Sequence, residues 1–423
     1  MKKAFVISWY FPPVNSSEGL VTFKLLKNSN GKYDVFTQKS NLTWTYGDGE
    51  KKLVSDNINP IFAKASNIEE WIKEGVEYFK SHSSEYQYIM SRSMAPESHV
   101  MALQIKKEFP NIKWIASFGD PICNNPYNLF YAESSPFSVR NKFESGEVGY
   151  KELLNAKRII KNRWWNYRHK KYLKRTDNEK DKIKLESDVI KNADVVILNN
   201  EYQLKHMMKT NPSLKDKAVI LYHTYDKEYY GEKKHKKDDK IHFAFIGHLD
   251  EARSAKPFFE ALKRLKEKDS KLKDKIVVNF YGNMSNKDKL FLVNNYLLDI
   301  VSIEKPVNYL ESLNIMKNSD WLINIDANLG SFINENIFCP AKVMDYLGSD
   351  SNIISITMLD GASADILREA GEIVSSHSED EIYLYLTQII NGKIKLNKNT
   401  KYIEQFDAKN VAKKYDELIK KIL

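Results

Sequence analysis

The stretch Asn336–Ser349, NIFCPAKVMDYLGS, lies between two apolar runs of the chain, Trp321–Asp326 and Asn352–Thr357. An apolar run, a polar loop, a short helical segment with one carboxylate and a second apolar run are typical of a βαβ unit. In an open parallel sheet, ligands bind beyond the carboxyl ends of the strands, where helix N-termini offer free N–H groups. The pattern therefore predicts that Lys342 and Asp345 lie near a ligand.

The same alternation of short apolar runs with amphipathic segments extends in both directions from this unit. The apolar runs of the first half are Ala4–Trp9, Asp34–Phe36, Tyr88–Met90, Trp114–Phe118 and Val195–Leu198, and its amphipathic segments include Ile68–Lys80 and Ala102–Phe109. The apolar runs of the second half are Ile241–Ile246, Ile276–Tyr281, Ile300–Ser302, Trp321–Asp326, Asn352–Thr357 and Glu372–Val374. Strands that alternate with helices predict doubly wound parallel sheets.

A lysine-rich segment, Lys227–Lys240, separates the two halves and has no apolar periodicity, which is typical of a solvated linker. The length of 423 residues also exceeds the usual range of a single domain. We therefore predict an α/β protein with two doubly wound domains, residues 1–226 and 241–405, followed by a C-terminal helix over residues 406–423.

The cysteine content and the length of the apolar stretches indicate where in the cell the protein is located. The chain has only two cysteines, Cys123 and Cys339, which is too few for a disulfide framework and fits a reducing cytosol. The N-terminal apolar run ends early, at Pro12–Pro13, and no apolar stretch approaches the roughly 20 residues that cross a bilayer. We therefore expect a cytoplasmic protein that is soluble or peripheral to the inner face of a membrane.

The net charge of +9 is concentrated in Lys157–Arg175, which carries nine Lys or Arg residues and no acid and falls in an expected helical insertion near residues 150–190. Basic side chains around aromatic rings suit an anionic membrane surface, to which each contributes about 1 kcal/mol. A solvated helix and a nucleic-acid-binding segment are the alternatives, but no nucleic-acid-binding module accompanies it, so we expect no nucleic acid partner. The predicted membrane or acceptor contacts are Arg163, Trp164, Trp165, Arg168, Lys170 and Lys171.

Several segments resemble the family 4 glycosyltransferases. Pro340–Leu347 resembles the family's P-x-K-x-x-(D/E)-Y-L motif, and Ile246–Ala261 resembles its strand, basic loop and helix. Val307–Asp320 is similar to the segment around the family's base pocket, and Ala4–Leu26 is similar to its opening strand, loop and helix. The resemblance covers most of the chain outside roughly residues 130–185. It implies the GT-B fold, in which two Rossmann-like domains face a cleft and the last helix crosses back to the first domain, and it implies a retaining transferase.

The resemblance implies that basic side chains hold the diphosphate of a nucleotide sugar, since the sequence shows no metal-binding motif. Aligned on Gly247, the family's two basic positions fall on His248 and Arg253. His248 is a departure, because histidine carries a full charge only at lower pH. Lys342 is the remaining predicted phosphate contact. Surface solvation is the alternative for each of these basic residues taken alone.

The family's two glutamates, eight positions apart, are only partly matched. Asp345 takes the place of the second, which holds the ribose in the family, whereas Ile337 stands eight positions before it. Glu335 is therefore a predicted catalytic residue in contact with the transferred sugar, and Asp326 is another candidate for the sugar hydroxyls. Val307 is expected at the base pocket. The alternative for Asp345 and Glu335 is an exposed carboxylate.

Two loops of the first domain complete the predicted site. The loop before the first helix offers Ser16 or Ser17 as the N-cap, and the resemblance places Ser17 and Gly19 at the donor diphosphate. Asp120 follows the strand Trp114–Ser117, and similar loops in the family carry a catalytic or acceptor-orienting residue. We predict that Asp120 orients the acceptor hydroxyl or takes its proton. An ordinary capped helix and an Asp-Pro turn are the alternatives.

The resemblance implies transfer of a sugar from a nucleoside diphosphate to a glycan, a lipid-linked acceptor or a protein, with retention, in bacterial surface polysaccharide or glycoconjugate synthesis. UDP or GDP is the expected donor nucleotide, and no cofactor or metal is expected. A nucleotide-sugar epimerase of the same fold is one alternative. A non-enzymatic adaptor at a membrane surface is another, because the first glutamate is absent and the glycine loop is reduced.

Overall fold

The structure is a computed structural model that describes residues 3–38, 49–133, 179–233 and 238–423. The basic aromatic segment Lys157–Arg175 lies outside the described residues. So do all of its predicted contacts, which are Arg163, Trp164, Trp165, Arg168, Lys170 and Lys171. The membrane interpretation of that segment therefore stays a prediction.

The first sheet has seven parallel strands in the order β3-β2-β1-β4-β5-β6-β7. The strands are β1 Lys3–Ser8, β2 Lys32–Thr37, β3 Ile58–Phe62, β4 Tyr88–Ser93, β5 Lys113–Phe118, β6 Val195–Leu198 and β7 Ala218–Ile220. The strand order reverses between β1 and β4, and a doubly wound sheet binds its ligands beyond the carboxyl ends of the strands at such a point.

The second sheet has six parallel strands in the order β10-β9-β8-β11-β12-β13, with its reversal between β8 and β11. The strands are β8 Ile241–Ile246, β9 Ile276–Tyr281, β10 Val301–Glu304, β11 Trp321–Ile325, β12 Asn352–Ile356 and β13 Ile373–Ser375. The interpretation as two doubly wound domains is confirmed.

Helices connect the strands of both sheets. The described α-helices between β1 and β7 are Ser17–Lys27, Ile68–His82, Glu97–Glu108, Pro126–Glu133, Glu179–Asn192 and Glu201–Met208. Those that follow β8 are Lys256–Lys268, Leu272–Lys275, Asn286–Asn294, Tyr309–Asn318, Ala341–Gly348, Ala362–Glu369, Glu379–Ile390, Thr400–Ile403 and Ala408–Ile422. None of the described helices combines the length and the apolar character that a bilayer crossing requires.

The C-terminal helix, Ala408–Ile422, packs against the first domain. The hydroxyl oxygen of its Tyr415 lies 3.2 Å from that of Tyr88 at the start of β4. Its Asp416 accepts hydrogen bonds from the backbone and side-chain nitrogens of Asn30, at 3.1 and 2.6 Å. The expected crossover of the last helix is therefore confirmed, and it ties the C-terminus to the domain that opens the chain.

One strand of the first sheet departs from the predicted pattern. The run INPIF of β3 pairs with β2 at the edge of the sheet, and Pro60 lies opposite Val35. Proline has no N–H to donate to a ladder, so an interior strand would lose a hydrogen bond there. An edge strand needs partners on one side only, which explains why the strand forms although its sequence does not predict it.

Candidate active site

A cavity of about 370 Å³ lies where the two domains meet. The first domain contributes the loop before helix Ser17–Lys27, and the second domain contributes the loops that follow β8, β9 and β10. These loops leave the carboxyl ends of strands, where doubly wound sheets bind ligands. The cavity contains four of the predicted donor residues, Ser17, Gly247, His248 and Val307.

Two glycines let the loops after β8 and β9 approach each other at this cavity. Gly247 has φ of +144° and Gly282 has φ of +131°, a conformation that residues with a Cβ rarely adopt. A Cβ on Gly282 would lie 1.9 Å from the carbonyl oxygen of Gly247. The contact is therefore possible only because neither residue carries a side chain.

The amino group of Lys342 is buried beside this wall. Its Nζ lies 3.7 Å from the point that a Cβ of Gly247 would occupy and 4.3 Å from the centroid of the Phe245 ring. Among the described residues, this nitrogen has no hydrogen-bond partner. Burial and the nearby Arg253 lower the pKa of Lys342 to about 7, and the charge of Asp326 opposes them only in part. A ligand anion would restore the full positive charge.

Arg253 lies in the loop after β8 and reaches the first domain. Its Nη2 donates a hydrogen bond of 2.8 Å to the hydroxyl of Tyr127. The carboxylate of Asp250 shapes the loop, because it accepts the backbone N–H groups of Ala252 and Arg253 at 2.9 Å each. The Nε of Arg253 is buried and has no hydrogen-bond partner within the described ranges. The guanidinium is thus held in place by Tyr127, and its buried Nε–H group is left for a ligand.

Asp326 follows β11 at its carboxyl end and is only 2% exposed. Its Oδ2 accepts a hydrogen bond of 3.0 Å from the hydroxyl of Thr357. Its Oδ1 is buried and has no partner in the part of the chain that the structure describes. Buried polar atoms are normally hydrogen-bonded, so Arg253 Nε, Lys342 Nζ and Asp326 Oδ1 together indicate a place for a polar ligand.

Asp345 lies beside the cavity in a buried network. Its Oδ1 accepts hydrogen bonds from Lys24 Nζ at 2.8 Å and from the Tyr309 hydroxyl at 3.0 Å. Lys24 also donates to the carbonyl oxygen of Thr224, and the Tyr230 hydroxyl donates to the backbone carbonyl of Asp345 at 2.6 Å. Burial raises the pKa of Asp345, whereas Lys24 and Tyr309 oppose this rise. The alternative of an exposed carboxylate is excluded, and the ribose contact stays a prediction.

Asp120 lies just beyond the carboxyl end of β5, near a partly buried ion pair. Arg92 Nε donates to Glu18 Oε2 at 2.8 Å, and its Nη1 donates to the Ser117 hydroxyl at 2.9 Å. Burial and the charge of Glu18 raise the pKa of Asp120 to about 7, whereas Arg92 and Arg253 oppose the rise. A carboxylate with this pKa can take up or release a proton near neutral pH.

A second interdomain cavity, of about 630 Å³, contains Glu335. One wall consists of four side chains spaced along one face of helix Glu201–Met208 and its C-cap, namely Tyr202, Lys205, His206 and Lys209. The opposite wall is the loop 332–337 of the second domain. Glu335 Oε1 lies 2.6 Å from Lys205 Nζ across the cavity. Glu335 is therefore paired with the first domain at this cavity, and its contact with the transferred sugar stays a prediction.

The comparisons with known proteins identify the architecture. By sequence, the chain matches no protein-family model and no curated protein. By structure, it is similar to sucrose-phosphate synthase from Thermosynechococcus elongatus, with a TM-score of 0.65 and 11% identity over 100% of this chain and 99% of that chain. It is similar to the lipopolysaccharide outer core galactosyltransferase WaaB, with a TM-score of 0.59 and 11% identity over 100% of both chains. The chain has the GT-B fold.

A protein assigned as a UDP-N-acetylglucosamine 2-epimerase from Listeria monocytogenes also shares this GT-B fold, with a TM-score of 0.54 and 8% identity over 99% of this chain and 96% of that chain. Glycosyltransferases and an assigned epimerase are thus both among the proteins of similar structure. Identities this low establish the fold alone, so the role of each side chain has to be argued from its surroundings.

The remaining predicted donor residues lie at the start of the first helix and at the cavity. A Cβ on Gly19 would lie 3.0 Å from the Cα of Phe11, so this glycine permits contact between the helix and the loop that precedes it. Ser16 is the N-cap residue of the helix, which confirms the predicted position, although its side chain makes no capping hydrogen bond. Ser17 and His248 are exposed at the cavity.

The structure adds site residues that the sequence interpretation missed. Lys24, Arg92 and Tyr127 all contact or neighbour predicted residues. Lys24 had a detectable signal, because it stands inside the apolar run Leu20–Leu26, where a lysine needs a buried partner. Arg92 and Tyr127 reach the cleft only through the packing of distant segments, so no local pattern marks them.

Proposed function

We propose that this GT-B protein transfers a sugar from a nucleoside diphosphate to an acceptor hydroxyl, with retention of the anomeric configuration. The supporting observation is the set of three buried atoms, Arg253 Nε, Lys342 Nζ and Asp326 Oδ1, that have no hydrogen-bond partner among the described residues. Two cationic donors beside one anionic acceptor match a diphosphate joined to a sugar with hydroxyl groups. The adjoining cavity of about 370 Å³ has room for a nucleoside.

In the proposed reaction, the bond between the anomeric carbon and the diphosphate oxygen breaks, and the acceptor oxygen bonds to the same face of the sugar. Arg253 and Lys342 stabilise the negative charge that the diphosphate gains as it leaves. Asp326 accepts a hydrogen bond from a sugar hydroxyl and so orients the donor. The acceptor proton passes to the leaving diphosphate or to Asp120. UDP or GDP is the proposed donor nucleotide.

The cavity of about 630 Å³ is the proposed site of a glycan acceptor. Its side chains include the rings of Tyr202 and Phe332, the amide of Asn334 and the carboxylate of Glu335, which are groups that pack on sugar rings or hydrogen-bond their hydroxyls. The Asp120 loop lies near it, because the loop continues to Asn124, which lines this cavity. Synthesis of surface polysaccharide or glycoconjugate, with the enzyme at the membrane surface, is the setting that we propose from the resemblance.

Substitution of Arg253 by alanine tests the donor site. Wild type and Arg253→Ala are titrated with UDP, GDP, ADP and dTDP by calorimetry and thermal unfolding. A nucleotide at 100 times its dissociation constant should stabilise wild type by about 2.7 kcal/mol. We expect nucleotides of one base to bind. Arg253→Ala should weaken this binding about 10- to 100-fold and lower kcat/KM for the matching nucleotide sugar as well, because a hydrogen bond to a charged group contributes about 1.5–3 kcal/mol.

Arg264→Ala is the matched control for this experiment, because Arg264 is an arginine of the same domain that pairs with Asp380 at the surface. The control should bind nucleotide as wild type does. Equal affinity and turnover in Arg253→Ala would remove Arg253 from the site. Wild type that binds none of the four nucleotides would contradict the proposed function itself.

A nucleotide-sugar epimerase is the second candidate, because the assigned epimerase from Listeria monocytogenes shares the fold over 99% of this chain. The two reactions differ in their products. An epimerase converts the nucleotide sugar into an isomer without any acceptor, whereas a transferase releases nucleoside diphosphate and does so faster when an acceptor is present. Incubation with the nucleotide sugar alone, followed by chromatography of the sugar, distinguishes the two candidates.

A further inference from the structure

Lys24 is a first-domain lysine that is only 1% exposed, and it reaches a carboxylate of the second domain. Its Nζ lies 2.8 Å from Asp345 Oδ1 and donates a further hydrogen bond to the carbonyl oxygen of Thr224. The same nitrogen lies 5.6 Å from the centroid of the Tyr309 ring. A fully buried lysine is rare unless it is paired, so this ion pair is a specific feature of the interface between the domains.

The contacts of Asp345 leave one of its carboxylate oxygens available. The two hydrogen bonds that described residues donate to this carboxylate, from Lys24 and Tyr309, both end on Oδ1. The side chain of Asp345 keeps 8% exposure. Tyr309, which bonds Oδ1, also lines the cavity of about 370 Å³. The carboxylate thus lies one side chain away from the proposed nucleoside cavity, with Oδ2 as its remaining acceptor.

We propose that Lys24 is a positioning residue for nucleotide recognition, which holds Asp345 ionised and oriented so that Oδ2 accepts a hydrogen bond from a ribose hydroxyl. This inference rests on the proposed function, because it requires a nucleotide in the cavity. The ribose contact of Asp345 follows from the family resemblance, whereas the role of Lys24 follows from the contacts observed here. A buried carboxylate that loses its cation takes up a proton or turns toward water, and either change removes the acceptor.

The position of Lys24 along its helix extends this role to both domains. Ser17 opens the helix at the cavity, and Lys24 follows seven residues later, which is about two helical turns. Lys27, one helical turn after Lys24, pairs with Asp226 where the chain leaves the first domain, with 3.1 Å between Lys27 Nζ and Asp226 Oδ2. One rigid helix therefore links the cavity, the ribose-binding carboxylate and the connection between the domains.

Discrimination between ribose and dideoxyribose tests the role of Lys24. UDP, GDP and their 2′,3′-dideoxy counterparts are titrated into wild type and Lys24→Met. We expect wild type to bind the ribonucleotide about tenfold more tightly than the dideoxynucleotide, because hydrogen bonds to a charged group separate the two ligands. In Lys24→Met the ratio should fall below about threefold, chiefly because the ribonucleotide binds more weakly.

A merely structural role of Lys24 would weaken both ligands equally and leave the ratio unchanged, and this result would overturn the inference. Lys24→Arg keeps the positive charge and should preserve most of the ratio. If Lys24→Met does not fold, Asp345→Asn takes its place, because it removes the charge that Lys24 stabilises; a preserved ratio in that variant also overturns the inference. Wild type that binds no nucleotide would contradict the proposed function, whereas binding with a preserved ratio contradicts only the role of Lys24.

Discussion

Lys342→Met should stabilise the free protein and weaken donor binding at the same time. In the folded chain the amine is buried, has no hydrogen-bond partner among the described residues, and has its pKa lowered from 10.5 to about 7. A pKa lowered from 10.5 to about 7 corresponds to a cost of roughly 4 kcal/mol at neutral pH, which the substitution recovers only in part. Methionine is similar in length and keeps the contact with the Phe245 ring. We therefore expect urea unfolding at pH 7 to show a gain of about 2 kcal/mol in the free energy of unfolding.

The pH dependence of this stability gain has a defined sign. The pKa of Lys342 is lower in the folded chain than in the unfolded chain, so the unfolded chain binds more protons between about pH 7 and pH 10.5. The cost of burying the lysine is fully present below pH 7 and disappears as the pH rises through that window. The advantage of Lys342→Met over wild type should therefore be largest at or below pH 7 and should shrink toward pH 10.

The same substitution should weaken binding of the nucleoside diphosphate by about 10- to 100-fold in calorimetric titrations, because the diphosphate loses a charge-assisted hydrogen bond. Such an exchange of stability for function is typical of binding sites with unpaired buried charges. Lys289→Met is the matched control, since Lys289 is exposed in the same domain. A loss of stability in Lys342→Met, or unchanged donor affinity, would contradict the assigned role.

The two-domain architecture could be predicted from the sequence, because strands that are buried on both faces of a parallel sheet are continuous apolar runs. Ile241–Ile246 and Ile276–Tyr281 are apolar runs whose limits coincide with β8 and β9. Strand β3 could not be predicted, because it contains Pro60 and several exposed residues and so shows neither an apolar run nor a clear alternation. Its existence depends on the free edge of β2, which is a tertiary feature.

The candidate site could be predicted from the sequence only in part. Gly247, Arg253 and Lys342 follow strands or begin helices at the expected edge of the sheet, and topology alone brings such positions together. The hydrogen-bond partners of these residues could not be predicted. The bond between Arg253 and Tyr127, for example, joins positions 126 residues apart in different domains. The pairing of Asp345 with Lys24 spans 321 residues and likewise depends on how the domains pack. The residue types in a loop can therefore predict that a site is there, whereas the charge and pKa of each group in the site depend on contacts between the domains.

Asp120→Asn should lower the turnover of the nucleotide sugar by about 100- to 10,000-fold, the range that general base catalysis contributes. Asparagine keeps the size of the side chain but cannot accept a proton. Burial and Glu18 raise the pKa of Asp120 to about 7, so in wild type kcat/KM should increase as the pH rises through 7 and the carboxylate loses its proton. The variant should lack this dependence and should bind nucleoside diphosphate within about threefold of wild type, as measured by calorimetry.

Glu18→Gln tests the effect of the neighbouring charge on the pKa of Asp120 while leaving the Asp120 carboxylate itself in place. Glu18 raises the pKa of Asp120 and pairs with Arg92 at 2.8 Å, so its neutralisation removes a repulsive charge and leaves Arg92 free to stabilise the ionised carboxylate. The rise of kcat/KM should therefore move below pH 7 in Glu18→Gln, whereas the maximal rate should change far less than in Asp120→Asn. An unmoved pH profile, or an Asp120→Asn variant within threefold of wild-type turnover, would show that another group takes the acceptor proton, and the leaving diphosphate itself would then be that group.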